Sequence, residues 1–161
     1  MKSFYSFLVV LLPFLSVAQT DSDEAAIHQT FHDETAAYYQ KDFELWASHW
    51  VKDETVFHGW NNKDGTYTIH EGWKQLGPAF EKQLKGNPEP VHPDFEYKNV
   101  KITVVGDLAY VTHDEYPSDA SGEKFTHVKG FKMLRKVAGK WKLVSVCSYW
   151  NYEYNLAKGD F

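Results

Sequence analysis

Two histidines and one glutamate are the residues of this chain whose types and positions best suit acid–base chemistry. His58 lies on a predicted strand at residues 54–60, and His113 and Glu115 are two residues apart on another at 108–116. An imidazole beside a carboxylate can act as a general base near neutral pH, because the carboxylate orients the ring and favours its charged form. An enolisable or dehydratable small molecule would suit such a site. Alternatively, these groups only bind a ligand, or they are core histidines satisfied by backbone carbonyls.

The pairing of the last two predicted strands, residues 123–136 and 140–150, determines which side chains accompany these groups. The tripeptide at 137–139 ends in glycine and fits a three-residue hairpin loop closed by a left-handed residue, which predicts Lys136 opposite Lys140. Side chains alternate between the two faces of a strand. This register therefore assigns every side chain of the two strands to one face of the sheet.

One face of the predicted sheet carries His113, Glu115 and several small side chains, if the preceding hairpin turns around residues 117–122. The small residues leave room for a ligand, so we predict that this is the concave face covered by helices. We further predict that His58, His113 and Trp150 line one cavity beneath the first helix, with aromatic walls. The predicted lining is Trp46, Trp50, Trp60, Val111, Val128, Gly130, Val146, Ser148 and Trp150.

The opposite face of the predicted sheet is bulkier and more apolar. It carries Phe131, Leu143, Cys147 and Tyr149 on adjacent strands. A monomer rarely leaves that much contiguous apolar surface in water, and two-fold dimers are the commonest oligomers. We therefore predict a homodimer formed through this outer face.

The order of the predicted elements indicates the fold class. Helices are predicted at residues 21–40, 43–50 and 71–85, and strands at 54–60, 66–69, 95–105, 108–116, 123–136 and 140–150. Helices gathered before a series of antiparallel strands are typical of an α+β fold. Long strands in a small domain must coil, and helices that close a coiled sheet leave a cavity. We predict a cone-shaped, curved antiparallel sheet with about three N-terminal helices packed on its concave face.

The N-terminus has the pattern of a secretory signal peptide. A lysine precedes an apolar run at residues 4–14, and residues 16–18 form the small-x-small pattern that signal peptidase reads. We predict that residues 1–18 are a signal peptide cleaved after Ala18, that 19–161 form a single domain, and that the protein is exported to the periplasm or secreted. A retained amphipathic anchor is the alternative.

The composition argues against several classes of partner. The formal net charge is −5, and this mild acidity argues against nucleic acid or an anionic membrane as a partner. His28 and His32 stand four residues apart on the first predicted helix, a spacing that can hold zinc, but no third ligand is evident nearby. We therefore predict a small-molecule ligand, with no cofactor and no metal.

Five short segments together form a recognisable pattern. They are residues 41–43 (KDF), 52–58 (KDETVFH), 69–72 (IHEG), 106–111 (GDLAYV) and 139–144 (GKWKLV). On these segments the chain resembles the nuclear transport factor 2-like superfamily, which includes SnoaL-like and ketosteroid isomerase-like proteins, over about residues 25–150. That superfamily includes isomerases, dehydratases, cyclases, hydrolases, ligand-binding domains and oligomerisation modules. The resemblance therefore implies a fold and a pocket rather than one activity.

The resemblance does not bring the isomerase residues with it. Ketosteroid isomerase-like enzymes would place their general-base carboxylate where His58 stands, and an oxyanion-donating tyrosine near Glu34. Their acidic oxyanion partner would fall on the predicted strand at 123–136, which has no carboxylate beyond Glu123. The isomerase set is thus not reproduced.

Three functions fit these observations. We predict an exported SnoaL-like domain that binds a small, mostly apolar ligand in a cone-shaped pocket. The first alternative is a lyase or isomerase that uses His58 and His113 as acid and base, with Glu115 beside them. The second alternative is a structural dimerisation module whose cavity is vestigial, and a tightly filled cone would favour it.

Overall fold

The computed structural model describes residues 13–161, with side chains from residue 22 onward. The three helices in that part of the chain are α1 (Pro13–Tyr39), α2 (Phe43–Ser48) and α3 (Trp73–Gly86). The strands there are β1 (Phe57–Asn61), β2 (Tyr67–Glu71), β3 (Phe95–Val105), β4 (Leu108–Pro117), β5 (Lys124–Phe125), β6 (Val128–Val137), β7 (Lys140–Trp150) and β8 (Leu156–Ala157). This order confirms the predicted α+β class.

Two of the helices show directly why the sequence folds as it does. α2 begins after Asp42, whose Oδ1 accepts a hydrogen bond from the backbone N–H of Leu45 at 2.9 Å and so caps the helix. α3 carries Leu76, Phe80 and Leu84 four residues apart, which places them on one stripe of the helix. All three are buried, so this stripe packs α3 onto the core.

Six strands form one open sheet in the order β2-β1-β7-β6-β4-β3. Neighbouring strands are antiparallel except β1 and β7, which run parallel with His58 opposite Val146. The predicted antiparallel sheet is corrected at this one pair, which makes the sheet mixed. Six other helices and strands lie between these two strands in the chain, so no tight hairpin constrains their direction, and a long connection of this kind permits a parallel pair.

The last hairpin, between β6 and β7, has a two-residue loop instead of the predicted three residues. Val137 pairs with Lys140, and the loop residues Ala138 and Gly139 have positive φ angles of 48° and 79°. Two successive residues with positive φ are required by a type I′ turn, whose twist matches that of the paired strands. The sequence favoured a longer loop because alanine is uncommon at positive φ.

A register shift between Met133 and Leu134 follows this loop along the ladder. Loop and bulge together move the pairing two residues from the predicted register, so that Gly130 lies opposite Ser148. An even shift leaves the side chains beyond the bulge on their predicted faces. Next to the loop the face is inverted, because a bulge adds one residue to one strand. Leu143 is therefore fully buried in the core, and its predicted place on the outer face is wrong.

The connection between β4 and β6 is longer than predicted. His113 lies opposite Gly130, which is four residues from the predicted register and again an even shift that preserves the faces. The predicted strand at 123–136 is divided into β5 and β6. β5 pairs with β8, with Phe125 opposite Leu156, and thereby ties the C-terminal segment to the domain.

The core lies between the helices and the inner face of the sheet, as predicted. It contains members of all three helices and of strands β4, β6 and β7. Its buried apolar residues are Ile27, Phe31, Ala37, Trp46, Ala47, Trp50, Val51, Val56, Leu76, Phe80, Leu84, Ala109, Val111, Leu134, Trp141, Leu143 and Val146.

The predicted signal peptide, residues 1–18, lies largely outside the described residues. The described chain begins at Pro13 within α1, so cleavage after Ala18 stays a prediction. Within residues 13–161, no helix combines the length and the apolar character needed to cross a membrane.

Candidate functional site

A cavity of about 270 Å³ opens between the helices and the inner face of the sheet. Its wall combines many aromatic rings with a small group of charged side chains. The lining residues are Glu34, Thr35, Tyr38, Tyr39, His58, Trp60, Phe80, Gln83, His92, Glu115, Lys132, Val146, Ser148, Trp150, Tyr152 and Tyr154. The cone is therefore not tightly filled, and a tightly filled cone was the observation that would favour a vestigial cavity.

Glu34 and Lys132 form a buried ion pair in the cavity wall. Lys132 Nζ donates to Glu34 Oε2 at 3.1 Å and to Thr35 Oγ1 at 2.8 Å. The other oxygen, Glu34 Oε1, accepts from the indole N–H groups of Trp46 and Trp50 at 2.7 and 3.3 Å. The Lys132 and Glu34 side chains are only 4% and 5% exposed. Each charge is both paired and hydrogen-bonded, as a stable buried charge must be.

Trp46 and Trp50 lie behind the cavity, not in its lining as predicted. Both are fully buried, and their ring centroids are 5.4 Å apart. Trp46 also stacks on Phe80, which does line the cavity, at 4.5 Å. The correction has a physical cause: both indole N–H groups point to Glu34, so the rings lie beneath that carboxylate and hold it in place.

Glu115 supplies a second carboxyl group, in surroundings that favour its neutral form. The hydroxyl of Tyr39 donates a hydrogen bond to Glu115 Oε1. Burial raises the pKa of Glu115, although the Lys132 ammonium acts in the opposite direction. Burial also raises the pKa of Tyr39 well above its ordinary value, so that hydroxyl keeps its proton. Glu115 therefore retains a proton to a higher pH than an ordinary glutamate, as groups that transfer protons in enzymes often do.

His58 lines the cavity from β1 among aromatic rings. Its ring centroid lies 4.8 Å from that of Phe80 and 5.2 Å from that of Trp60. Burial, with smaller effects of Lys132 and His70, lowers the pKa of His58 to about 3. Its Nδ1 has no hydrogen-bond partner among the described residues. The ring is uncharged at neutral pH and is a weak general base.

His113 does not share this cavity with His58. It is 1% exposed, and its ring lies parallel to that of Phe31 with centroids 5.8 Å apart. Neither ring nitrogen has a hydrogen-bond partner in the described part of the chain, and burial lowers the pKa of His113 to about 2. The predicted pairing of the two histidines is corrected here. A Cβ atom on Gly130 would lie 2.1 Å from the ring, so the bare glycine lets His113 fold flat onto the sheet.

The remaining predicted lining residues divide between the cavity and the core. Trp60, Val146, Ser148 and Trp150 line the cavity together with His58 and Glu115. Val111, Val128 and Gly130 lie outside the lining, the two valines fully buried. The cavity occupies the part of the inner face nearest β1 and β7, and helix side chains fill the rest.

The last turns of α1 contribute four lining residues, none of which sequence reasoning placed in the pocket. They are Glu34, Thr35, Tyr38 and Tyr39. Glu34 and Tyr38 are four residues apart and so share one helix face, which was the available signal. The hydroxyl of Tyr38 also accepts a hydrogen bond from Gln83 of α3 at 3.0 Å.

The segment after β7 closes the cavity, which sequence reasoning also missed. The hydroxyl of Tyr152 donates to the backbone carbonyl of Asn61 at 2.6 Å. The ring of Tyr154 stacks on that of His92 with centroids 6.2 Å apart. The aromatic residues of this segment were a visible signal, but nothing in their pattern predicts where the segment docks.

Comparison with known proteins places the chain in a family. The family model of the SnoaL-like domain matches residues 27–150. The chain belongs to the SnoaL-like domain family. The match runs from α1 to the end of β7, so the two tyrosines of this SnoaL-like protein that close the cavity lie beyond it.

Solved structures similar to this SnoaL-like domain share its fold. A proposed dehydratase of the nuclear transport factor 2-like family from Streptomyces avermitilis has 20% identity and a TM-score of 0.65, covering 83% of this chain and 99% of that one. A proposed ketosteroid isomerase from Parabacteroides distasonis has 18% identity and a TM-score of 0.56, covering 78% and 87%. A protein with a cystatin-like fold from Nostoc punctiforme has 17% identity and a TM-score of 0.59, covering 81% and 92%. No curated protein matches the chain.

The site of this SnoaL-like domain is suited to binding and to proton transfer. Within the described residues, no group of three or more His, Cys, Asp or Glu side chains could hold a metal ion. The groups that can act are a paired cation, a carboxyl group with a raised pKa and a neutral imidazole, contributed by Lys132, Glu115 and His58. All three are set among aromatic rings that bind apolar surface.

Proposed function

We propose that this SnoaL-like domain binds a small, mostly apolar molecule in the cavity of about 270 Å³. The observation that carries the proposal is the composition of the wall: aromatic rings surround a compact polar cluster built on Glu34, Lys132 and Glu115. Ligand sites typically combine a predominantly apolar lining with a few fixed polar groups. The rings supply affinity, and the cluster orients one polar group of the ligand.

The size of the cavity limits the ligand. An apolar cavity of about 150 Å³ can hold benzene, so a cavity of about 270 Å³ accepts a molecule larger than a single unsubstituted ring. Glu34 and Lys132 neutralise each other, and the lowered pKa of His58 leaves it uncharged. A neutral ligand therefore suits the site better than a strongly charged one, because burying an unpaired charge is costly.

A matched pair of variants on β7 tests this proposal. Ser148 lines the cavity, whereas Ser145 lies on the other face of the same strand. Ser148→Leu fills cavity space and is expected to weaken binding of toluene and indole at least about tenfold, while Ser145→Leu leaves it unchanged. Ligand-observed NMR measures both, and equal effects of the two substitutions would contradict the proposal. Native mass spectrometry of protein from its own host would identify the natural ligand.

Acid–base catalysis is a second candidate, and the surroundings of Glu115 favour it. A carboxyl group with a raised pKa, bonded to the hydroxyl of Tyr39, can give a proton to a carbonyl or a departing hydroxyl group. The names of two structural neighbours, a proposed dehydratase and a proposed ketosteroid isomerase, suggest such reactions. Glu115→Gln is expected to abolish turnover of a substrate found by the ligand search while preserving its binding.

Self-association and export remain proposals. Tyr110 and Tyr149 of the outer face are 44% and 61% exposed, which supports dimerisation through that face. Because Leu143 is buried in the core, Tyr149→Asp is the suitable test of this interface. Sedimentation of the wild-type chain as a monomer at micromolar concentration would contradict the proposed dimer.

Amino-terminal sequencing of protein secreted by its host would test the proposed cleavage after Ala18.

A further inference from the structure

His92 lines the cavity but has no role in the proposed ligand-binding or acid–base function. It lies in the loop between α3 and β3, and its ring contacts those of three other lining residues. The centroid distances are 4.6 Å to Tyr39, 5.8 Å to Trp150 and 6.2 Å to Tyr154. The imidazole of His92 is therefore a part of the aromatic wall.

One edge of this imidazole is tied to the backbone. Nδ1 of His92 lies within hydrogen-bond distance of the carbonyl oxygen of Ser118. Ser118 is fully buried and is itself held in two places: its N–H donates to the Asp94 carbonyl at 2.8 Å, and its Oγ accepts from the Asp94 N–H at 3.1 Å. The fold therefore fixes the position of the carbonyl independently of the imidazole.

This contact determines which nitrogen of His92 carries the proton. A carbonyl oxygen only accepts hydrogen bonds, so Nδ1 must be the donor, and Nε2 of the neutral ring then has only a lone pair. Burial lowers the pKa of His92, which favours the neutral ring. Among the described residues Nε2 has no hydrogen-bond partner. His92 lines the cavity, whereas Ser118 does not.

The backbone holds His92 in an uncommon conformation. Its φ is 50°, in the left-handed region that few residues other than glycine adopt, and Pro93 further restricts it. The flanking residue Val91 donates its N–H to the Tyr39 carbonyl at 2.9 Å, which fixes the entry to this turn. Such conformations persist where the surrounding structure imposes them, and they cluster at functional sites.

We propose that His92 is the acceptor that selects the ligand of this cavity, with Nδ1–H held by Ser118 and Nε2 accepting a hydrogen bond from a protic group of the ligand. The inference rests on the proposed ligand-binding function and adds a chemical class to it. The ligand is a small, mostly apolar ring compound that carries a hydroxyl, phenol or N–H group.

The first test needs no ligand. Long-range ¹H–¹⁵N spectra of the full chain at mildly alkaline pH distinguish the two tautomers of each neutral histidine, and His92→Asn identifies the His92 signals by their loss. We expect a protonated Nδ1 and a bare Nε2. A His92 that carries its proton on Nε2 would overturn the inference.

The second test compares phenol with toluene, which have similar shapes and differ in the hydrogen-bond donor. The ratio of phenol affinity to toluene affinity, measured by calorimetry, is expected to fall about 3- to 10-fold in His92→Asn, which is the net effect of one lost hydrogen bond. Asparagine is a matched replacement, because its amide can donate to Ser118 and it tolerates positive φ. Toluene binding by the variant shows that the cavity is intact.

The outcomes separate this inference from the function on which it rests. An unchanged ratio in His92→Asn would overturn the inference while leaving the ligand-binding function in place. Failure of the wild-type chain to bind either compound would count against the proposed function. In that case the tautomer measurement still decides the state of His92.

Discussion

Two buried polar groups on neighbouring strands are accommodated in opposite ways. On β6, the Lys132 ammonium is paired with Glu34 and hydrogen-bonded to Thr35. On β4, the His113 imidazole is equally buried, yet neither of its nitrogens has a hydrogen-bond partner among the described residues. The first group is compensated by an ion pair and a hydrogen bond, whereas the second is buried as an uncharged ring.

This difference distinguishes polar groups of the candidate site from a polar side chain that only packs in the core. Burial penalises a charge unless it is paired, so a buried group either gains partners or stays neutral. Glu34 and Lys132 have gained partners and line the cavity, whereas His113 fills the space above Gly130. The sequence marks both as polar residues on the inner face, and only the contacts show which of them has partners.

Removing one member of the ion pair is expected to have the largest effect. Lys132→Met leaves the Glu34 carboxylate buried without its cation, and should lower the free energy of unfolding by about 3–5 kcal/mol in urea denaturation. The double variant with Glu34→Gln should recover much of this loss, because the amide oxygen still accepts from Trp46. Lys101→Met, at an exposed position on β3, is the control and should change little. A loss below about 1 kcal/mol for Lys132→Met would contradict the interpretation of Lys132 and Glu34 as a buried pair of charges that depend on each other.

Filling the space beneath His113 should be the next largest change. Gly130→Ala places a Cβ atom against the imidazole and is expected to cost about 1–3 kcal/mol of unfolding free energy. Binding of toluene should be unaffected, since neither residue lines the cavity. Weaker ligand binding without loss of stability would indicate that Gly130 and His113 belong to the ligand site.

Acid should destabilise the protein through its buried histidines. The pKa values of His58 and His113 are lowered to about 3 and about 2 in the folded protein, so below pH 6.5 the unfolded chain binds protons that the folded chain does not. The stabilisation is fully present above pH 6.5 and is lost as the pH falls, by about 1 kcal/mol for each histidine between pH 6.5 and about 5.5. The raised pKa of Glu115 acts in the opposite sense.

The comparison of wild type with His113→Leu across this pH range isolates one histidine. The stability difference between the two proteins should change by about 1 kcal/mol between pH 6.5 and about 5.5. A difference that does not vary with pH would mean that His113 is protonated in the folded state.

The smallest expected effect is a gain in stability. At mildly alkaline pH, His113→Leu removes two buried nitrogens that lack partners and should raise the free energy of unfolding by about 1 kcal/mol. Thermal denaturation would detect this as a higher melting temperature. Destabilisation by more than about 2 kcal/mol would instead indicate that the stacked contact with Phe31 outweighs the unsatisfied nitrogens.

Much of the fold could be predicted because it depends on local patterns. The α+β order and the inner face follow from period and turn residues. The predicted registers of both hairpins were wrong. Each differed from the observed register by an even number of residues beyond the bulge, so the side chains there kept their predicted face. Leu143 shows the limit: one bulge inverted its face, and a bulge has no clear signal in a single sequence.

The site was less predictable because its residues meet through long-range contacts. His58 and Glu115 could be placed on the inner face by alternation alone. Nothing local shows that Gly130 would let His113 lie flat, or that Trp46 would turn its N–H to Glu34. The parallel pairing of β1 with β7 likewise depends on how the whole chain returns to its first strand.

The position of Tyr152 and Tyr154 in the chain has a consequence for the order of assembly. They follow every other lining residue, and β8 beyond them must pair with β5 to hold their segment against the domain. During synthesis from the N-terminus, the helices and the long strands can therefore pack before the cavity has its last wall. If the proposed function holds, capture of the ligand would be among the final events in the maturation of each molecule, after the rest of the core has formed.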